Sequence, residues 1–201
     1  MSAPPRFTQQ ESGVLLGRFE PIEADLLGLA ITQLLEMLNA GSADPELAAS
    51  DGVFGRLLPD AYRDDDEAAA EFRRFTAPGL LERKAQNAQI VRDSLSVGEI
   101  VEADAVGPSA APAPGATPDT DTDTATATDT TDRQPITISL DPDAVQAWLR
   151  SLTDLRLTLA DRLQISPAGD VQLTTEDTPF LREVYEWLGM LQEELVYAID
   201  V

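Results

Sequence analysis

Pro21-Ile-Glu-Ala-Asp-Leu-Leu-Gly-Leu-Ala-Ile-Thr-Gln-Leu-Leu-Glu-Met-Leu-Asn39 is the stretch on which the fold turns. Proline suits the first helical position, and Glu20, Glu23 and Asp25 lie near the positive end of the helix dipole, so the segment reads as a helix that Gly41 can close. Ile22, Leu26, Leu27, Leu29, Ile31, Leu34, Leu35 and Leu38 form an apolar stripe too broad for a surface helix. Such a helix belongs in a core and needs cover from more than one neighbour.

Upstream, Arg6 to Gln10 and Val14 to Phe19 flank Glu11-Ser12-Gly13, which suggests a small hairpin. Downstream, Asp44-Pro45 and Asp51-Gly52 are turn signals, so Ala43 to Pro59 reads as loop with at most a short helical turn. Helix resumes near Asp64, where Asp64-Asp65-Asp66-Glu67 caps free amides better than it gathers a metal ion. Ala68 to Phe75 follows, and Thr76-Ala77-Pro78 is expected to restart a further helix through Leu80, Leu81, Ala85, Ala88, Val91 and Leu95.

From about Val97 to Asp132 the composition shifts to Pro, Ala, Gly, Thr and Asp, with eight acidic residues, no basic ones and no aromatics. Nothing there is large enough to offset the entropy of ordering, so a disordered tether is expected, spanning about 30 Å as a flexible chain. After it, Ile136-Thr-Ile-Ser-Leu140 alternates like a strand. Asp141 as N-cap and Pro142 then open a helix through Trp148, Leu152, Leu155 and Leu159 to about Ile165, with a break conceivable at Ser151-Leu152-Thr153. Gly169-Asp170 marks a turn, Val171 to Leu173 suggests a short strand, and Thr178-Pro179 begins a last helix with Phe180, Val184, Trp187, Leu188, Leu191, Leu195 and Ile199 as its stripe.

The reading is a mainly α protein: a compact helical bundle with a small N-terminal β-hairpin or minor sheet, interrupted by a disordered acidic insert. Residues 6–96 and 136–201 are expected to pack as two halves of one domain around an insert at 97–132.

Composition narrows function. The chain has 201 residues, 36 acidic against 14 basic side chains and a net charge of -22, which disfavours phosphate backbones and anionic lipid surfaces as partners. Without the insert the balance is still 28 to 14. Cysteine and histidine are both absent, which removes thiolate chemistry, cysteine metal sites and imidazole bases. The longest nearly apolar stretch, Leu26 to Leu35, falls short of the roughly 20 residues a membrane span needs, and a cytoplasmic setting is expected. No glycine-rich phosphate loop or Gly-x-Ser-x-Gly motif occurs, and neither catalytic residue nor cofactor is assigned. Arg73 and Arg74 could form an anion site, although salt-bridged surface arginines are the plainer reading. Together with Tyr62 and Arg156 they are the candidate interaction surface. Trp148, Trp187 and Tyr185 read as core packing rather than ligand stacking.

Leu58-Pro-Asp-Ala-Tyr-Arg-Asp-Asp65, Glu71-Phe-Arg-Arg-Phe-Thr76, Leu152-Thr-Asp-Leu-Arg-Leu157 with Arg162-Leu163, and Tyr185-Glu-Trp-Leu-Gly189 occur in that order. In this the chain resembles an actinobacterial family of unknown function whose genes commonly lie beside that of the Clp protease adaptor ClpS. The resemblance implies one domain with a variable insertion in a bacterial cytoplasm. It points to a protein-interaction or regulatory module with a protein partner, connected through that neighbourhood with proteolysis. A transcription-associated regulator, a label some relatives carry, and a carboxylate- or magnesium-dependent enzyme are the alternatives.

Burying several apolar side chains at about 1.5–3 kcal/mol each should outweigh closing the loop between the halves. Replacing the insert with a short Gly/Ser linker that still spans the gap should leave the thermal melting curve nearly unchanged. Either half expressed alone should fold poorly, and two halves that each melt cooperatively would contradict the single-domain reading.

Overall fold

The computed structural model describes residues 5–62, 64–100, 134–166 and 168–200. Strands β1 (Phe7–Gln9) and β2 (Leu15–Phe19) precede helix α1 (Pro21–Ala43). Two short helices, α2 (Pro45–Ser50) and α3 (Gly52–Leu57), lead to the long helix α4 (Asp66–Ser96). Strands β3 (Glu99–Ile100) and β4 (Ile136–Leu140) are followed by helices α5 (Pro142–Arg162) and α6 (Thr178–Ile199). The architecture is mainly α with one small antiparallel sheet, in the order β1-β2-β4-β3.

Local chemistry sets α1 in place. The Glu23 carboxylate accepts from the Glu20 N–H at 3.0 Å, closing the first turn. Arg6 donates to both Glu23 oxygens, at 2.7 and 2.8 Å, and to Glu194 of α6 at 2.9 Å, so one guanidinium joins the hairpin to two helices. Burial opposes ionisation of Glu23, but the hydrogen bonds from Arg6 and from the Glu20 N–H outweigh it and hold the carboxyl below its ordinary value.

The buried face of α1 is Leu27, Ile31, Leu34, Leu35 and Leu38. Two members of the expected stripe do not join it: Ile22 is 63% and Leu29 58% exposed. Leu29 stands two residues from both Leu27 and Ile31, about 200° round a 3.6-residue helix, so burying those two turns it outward. By length and composition alone α1 is long and apolar enough to cross a membrane, more than the nearly apolar Leu26–Leu35 stretch suggests. Here its apolar face is part of the core, as in the interior helix of a globular fold.

Gly41 does not close α1. It is a buried helical residue, and a Cβ placed there would overlap the Phe54 ring of α3. The 43–59 loop expectation also fails, because its turn signals are helix caps. Asp44 accepts from the N–H groups of Glu46 and Leu47 at 3.0 and 3.1 Å, and Asp51 from Val53 at 3.0 Å. Asp65 caps α4 in the same way, accepting from Ala68 N–H at 3.0 Å. Nor does Pro78 restart a helix, since α4 runs through it without interruption. Pro78 itself is exposed, while Ala69 before it and Leu81, Ala88 and Val91 after it are buried. Burial on both sides of the proline offsets the roughly 3 kcal/mol that an interior proline costs.

β2 pairs with β4 from Leu15 opposite Leu140 to Phe19 opposite Ile136, so chain from either side of residues 101–133 meets in one sheet. Glu99 and Ile100, assigned to the insert by composition, form strand β3 on the far edge of β4, and the rest of the expected disordered tether lies outside the described residues. Phe19 and Trp148 are fully buried with ring centroids 5.5 Å apart, and Phe7 meets Phe19 edge-on at 5.9 Å. One continuous apolar cluster includes Leu27 and Leu38 of α1, Leu81 and Val91 of α4, Leu152 of α5 and Leu188 and Leu195 of α6. α5 passes through Ser151–Thr153 unbroken, and Val171 makes a single bridge to Ile165 in place of a strand. Phe180 is 56% exposed, which removes it from the α6 core stripe.

Two glycines of α1 should respond oppositely to alanine. Gly41→Ala drives a methyl into Phe54 and should cost about 1–3 kcal/mol in urea unfolding. Gly28 has no atom within 4 Å of its would-be Cβ, so Gly28→Ala should stabilise by about 0.5–1 kcal/mol. Equal effects at the two positions would contradict the Gly41–Phe54 packing.

Candidate functional site

The two short helices give α4 something to face. α2, α3 and the end of α1 stand against the first half of α4 and enclose a cavity of about 410 Å³. Its walls are mostly apolar and small: Gly41, Pro45, Ala48, Ala49 and Gly55 on one side, Ala70, Ala77, Pro78 and Leu81 on the other, with Phe54 and Leu58 between. Gly41 admits the Phe54 ring, which is 2% exposed, and the small side chains leave the space open above it.

Arg73 and Arg74 supply the cationic part of the lining. Arg73 is tied by its Nη2 to Asp60. The Arg74 guanidinium lies 5.0 Å over the ring of Phe75, a 68% exposed aromatic, and has no ion pair among the described residues. Asp51 also lines the cavity, but its Oδ1 accepts from the Val53 N–H that starts α3. A second cavity of about 310 Å³ shares Leu58, Arg73 and Ala77 with the first and reaches Phe72 and Lys84. The exposed Tyr62 meets Phe72 edge-on at 5.9 Å. Three of the candidate residues, Tyr62, Arg73 and Arg74, therefore fall along one α3–α4 seam.

Arg156 does not join them. It faces α6, with its guanidinium 5.1 Å from the Tyr185 ring and Nη1 donating to Gln192 at 3.0 Å. Gly189 leaves room for it, the nearest Arg156 atom lying 3.5 Å from where a Cβ would stand. Its work is to join α5 to α6.

Lys84, at the far end of the seam, donates from Nζ to Asp154 of α5 at 2.6 Å. Asp154 is 3% exposed, and burial raises its carboxyl above the ordinary value against the opposing hydrogen bond and charge of Lys84. Among the described residues no group of three or more carboxylates converges as a metal site would require. The arrangement can hold an apolar body and pair an anion at its edge.

A model of the domain of unknown function DUF2017 matches residues 4–199. The chain belongs to the DUF2017 family. Neither curated proteins nor solved structures yield a match. The match covers chain on both sides of residues 101–133, so the DUF2017 domain includes the whole α2–α3–α4 cavity and the α5–α6 pair behind it.

The cavity walls of the DUF2017 domain are missed when Ala43 to Pro59 reads as loop with at most a short helical turn. The usable signal was there: Asp44 and Asp51 are each followed within two residues by the backbone N–H they cap, and the small residues between them cannot fill a helix–helix seam.

Lys84→Met strands the Asp154 carboxylate and should cost about 3–5 kcal/mol at neutral pH, while Lys84→Met with Asp154→Leu should recover most of it. Burial favours protonated Asp154 in the folded state. Its contribution to folding is therefore fully present below the ordinary carboxyl value of 3.8 and lost as pH rises through the raised one. The cost of Lys84→Met should accordingly shrink on acidification, and urea unfolding that shows the same loss at every pH would contradict this.

Proposed function

We propose that this DUF2017 domain is a protein-interaction module that seats an apolar part of its partner in the α2–α3–α4 cavity. The observation that carries the reading is the preformed apolar cavity of about 410 Å³ with two arginines in its wall, on a chain of net charge -22. Concave, mostly apolar sites with a few placed polar groups are the usual form of a recognition site. The chain has no imidazole or thiol to perform acid–base or nucleophilic work beside it. We place the module in an actinobacterial cytoplasm and, by the gene neighbourhood that its family resemblance implies, in the regulation of proteolysis.

Ala77 lies on the wall common to both cavities, so Ala77→Phe fills them with an apolar ring and removes no charged group. Wild-type protein, tagged and recovered from its native cell, should bring down a partner that Ala77→Phe recovers at least tenfold less well, with the melting temperature unchanged. Equal recovery by a folded Ala77→Phe protein would remove the cavity from the interaction.

A further inference from the structure

We infer that the cavity recognises the carboxyl end of a polypeptide whose last residues are apolar, with the terminal carboxylate on the Arg74 guanidinium. The inference rests on the binding-module reading and adds the chemistry of the partner.

Charge complementarity selects the occupant. Of the charged groups lining the cavity, Arg73 is neutralised by Asp60, and the Asp51 carboxylate accepts from the amide that opens α3. Arg74 alone of these three lacks a polar partner among the described residues. Its contact with the face of Phe75 keeps the guanidinium beside an aromatic plane and leaves its N–H edges available. A guanidinium edge matches the two oxygens of a carboxylate.

The rest of the lining asks for apolar bulk. About 410 Å³ beside Phe54 and Leu81 holds roughly two aliphatic side chains, and most of the lining is uncharged. A net charge of -22 repels a partner that brings many negative charges, so the ligand should carry one, set where Arg74 can meet it. A chain end satisfies these demands together, because its carboxylate adjoins the final side chains with no other charge between. The neighbouring cavity past Arg73 gives the preceding residues a continuing path along the seam, which a small free acid would not need.

Fluorescence anisotropy on the full-length protein tests this. The probes are an N-terminally fluorescein-labelled hexapeptide ending in leucine and valine with a free carboxylate, the same peptide as its C-terminal amide, and unlabelled octanoate as competitor. The acid peptide should bind at least tenfold more tightly than the amide. Arg74→Gln should weaken the acid to the level of the amide and leave the amide unchanged, and Arg74→Lys should restore part of the difference. Equal binding of acid and amide, or no binding of the acid peptide, would overturn the inference. Octanoate competing as well as unlabelled acid peptide would also overturn it, by showing a site for small carboxylates. A native partner that needs the open cavity in the Ala77→Phe comparison but binds regardless of Arg74→Gln would sink the carboxylate claim and leave the module reading intact.

Discussion

The structure depends on covering α1. Leu27, Ile31, Leu34 and Leu38 lie along one face, with Leu35 widening it. No single helix can cover a face of that width. α4 supplies cover from the chain before residues 101–133, and α5 with α6 supplies it from the chain after. The pairing of β2 with β4 repeats the same closure in backbone hydrogen bonds, and the Phe19–Trp148 contact welds sheet to helix. Polar links across the same divide are few and differ in kind. Lys84–Asp154 joins a part-buried lysine to a buried carboxylate, whereas Arg56–Asp161, at 3.1 Å, is more exposed to solvent and weighs little.

The cavity follows from that arrangement. α2 and α3 are only six residues each, too short to cover the α4 face completely, and Phe54 fixes α3 by lying on the bare Cα of Gly41. Many of the side chains around the space are small: alanine, glycine and proline. The open volume is thus a consequence of side-chain size on well-capped short helices. Arg73 and Arg74 stand on α4, which both reaches into the core and borders the open space.

Where propensity and packing agree, the sequence was readable. The hairpin, the β4 strand, the Asp141 cap and the last helix lie where composition and period place them. Where one signal had two meanings, reading failed. Asp-Pro and Asp-Gly open short helices as readily as they turn a loop, because the same aspartate oxygen caps either. A proline on the exposed side of a long helix is carried by burial before and after it, information that belongs to the fold and not to residue 78. Apolar residues at Ile22, Leu29 and Phe180 were counted into the core by type, and only the rotation of each helix shows them facing out. At the site, the arginines were legible as a pair, but their meaning comes from α2 and α3 opposite them. Arg156 looked equivalent in sequence and is occupied by Tyr185 and Gln192.

The account's central claim is that chain from both sides of residues 101–133 closes one core around α1. Native-state hydrogen exchange on the intact protein tests it most directly. The amides of Ile31 to Leu38 in α1 and of Leu152 to Leu155 in α5 should open with one common free energy, equal to that of global unfolding in denaturant. Exchange of the α5 and α6 amides through a distinct, lower-energy opening that leaves α1 and α4 protected would contradict it.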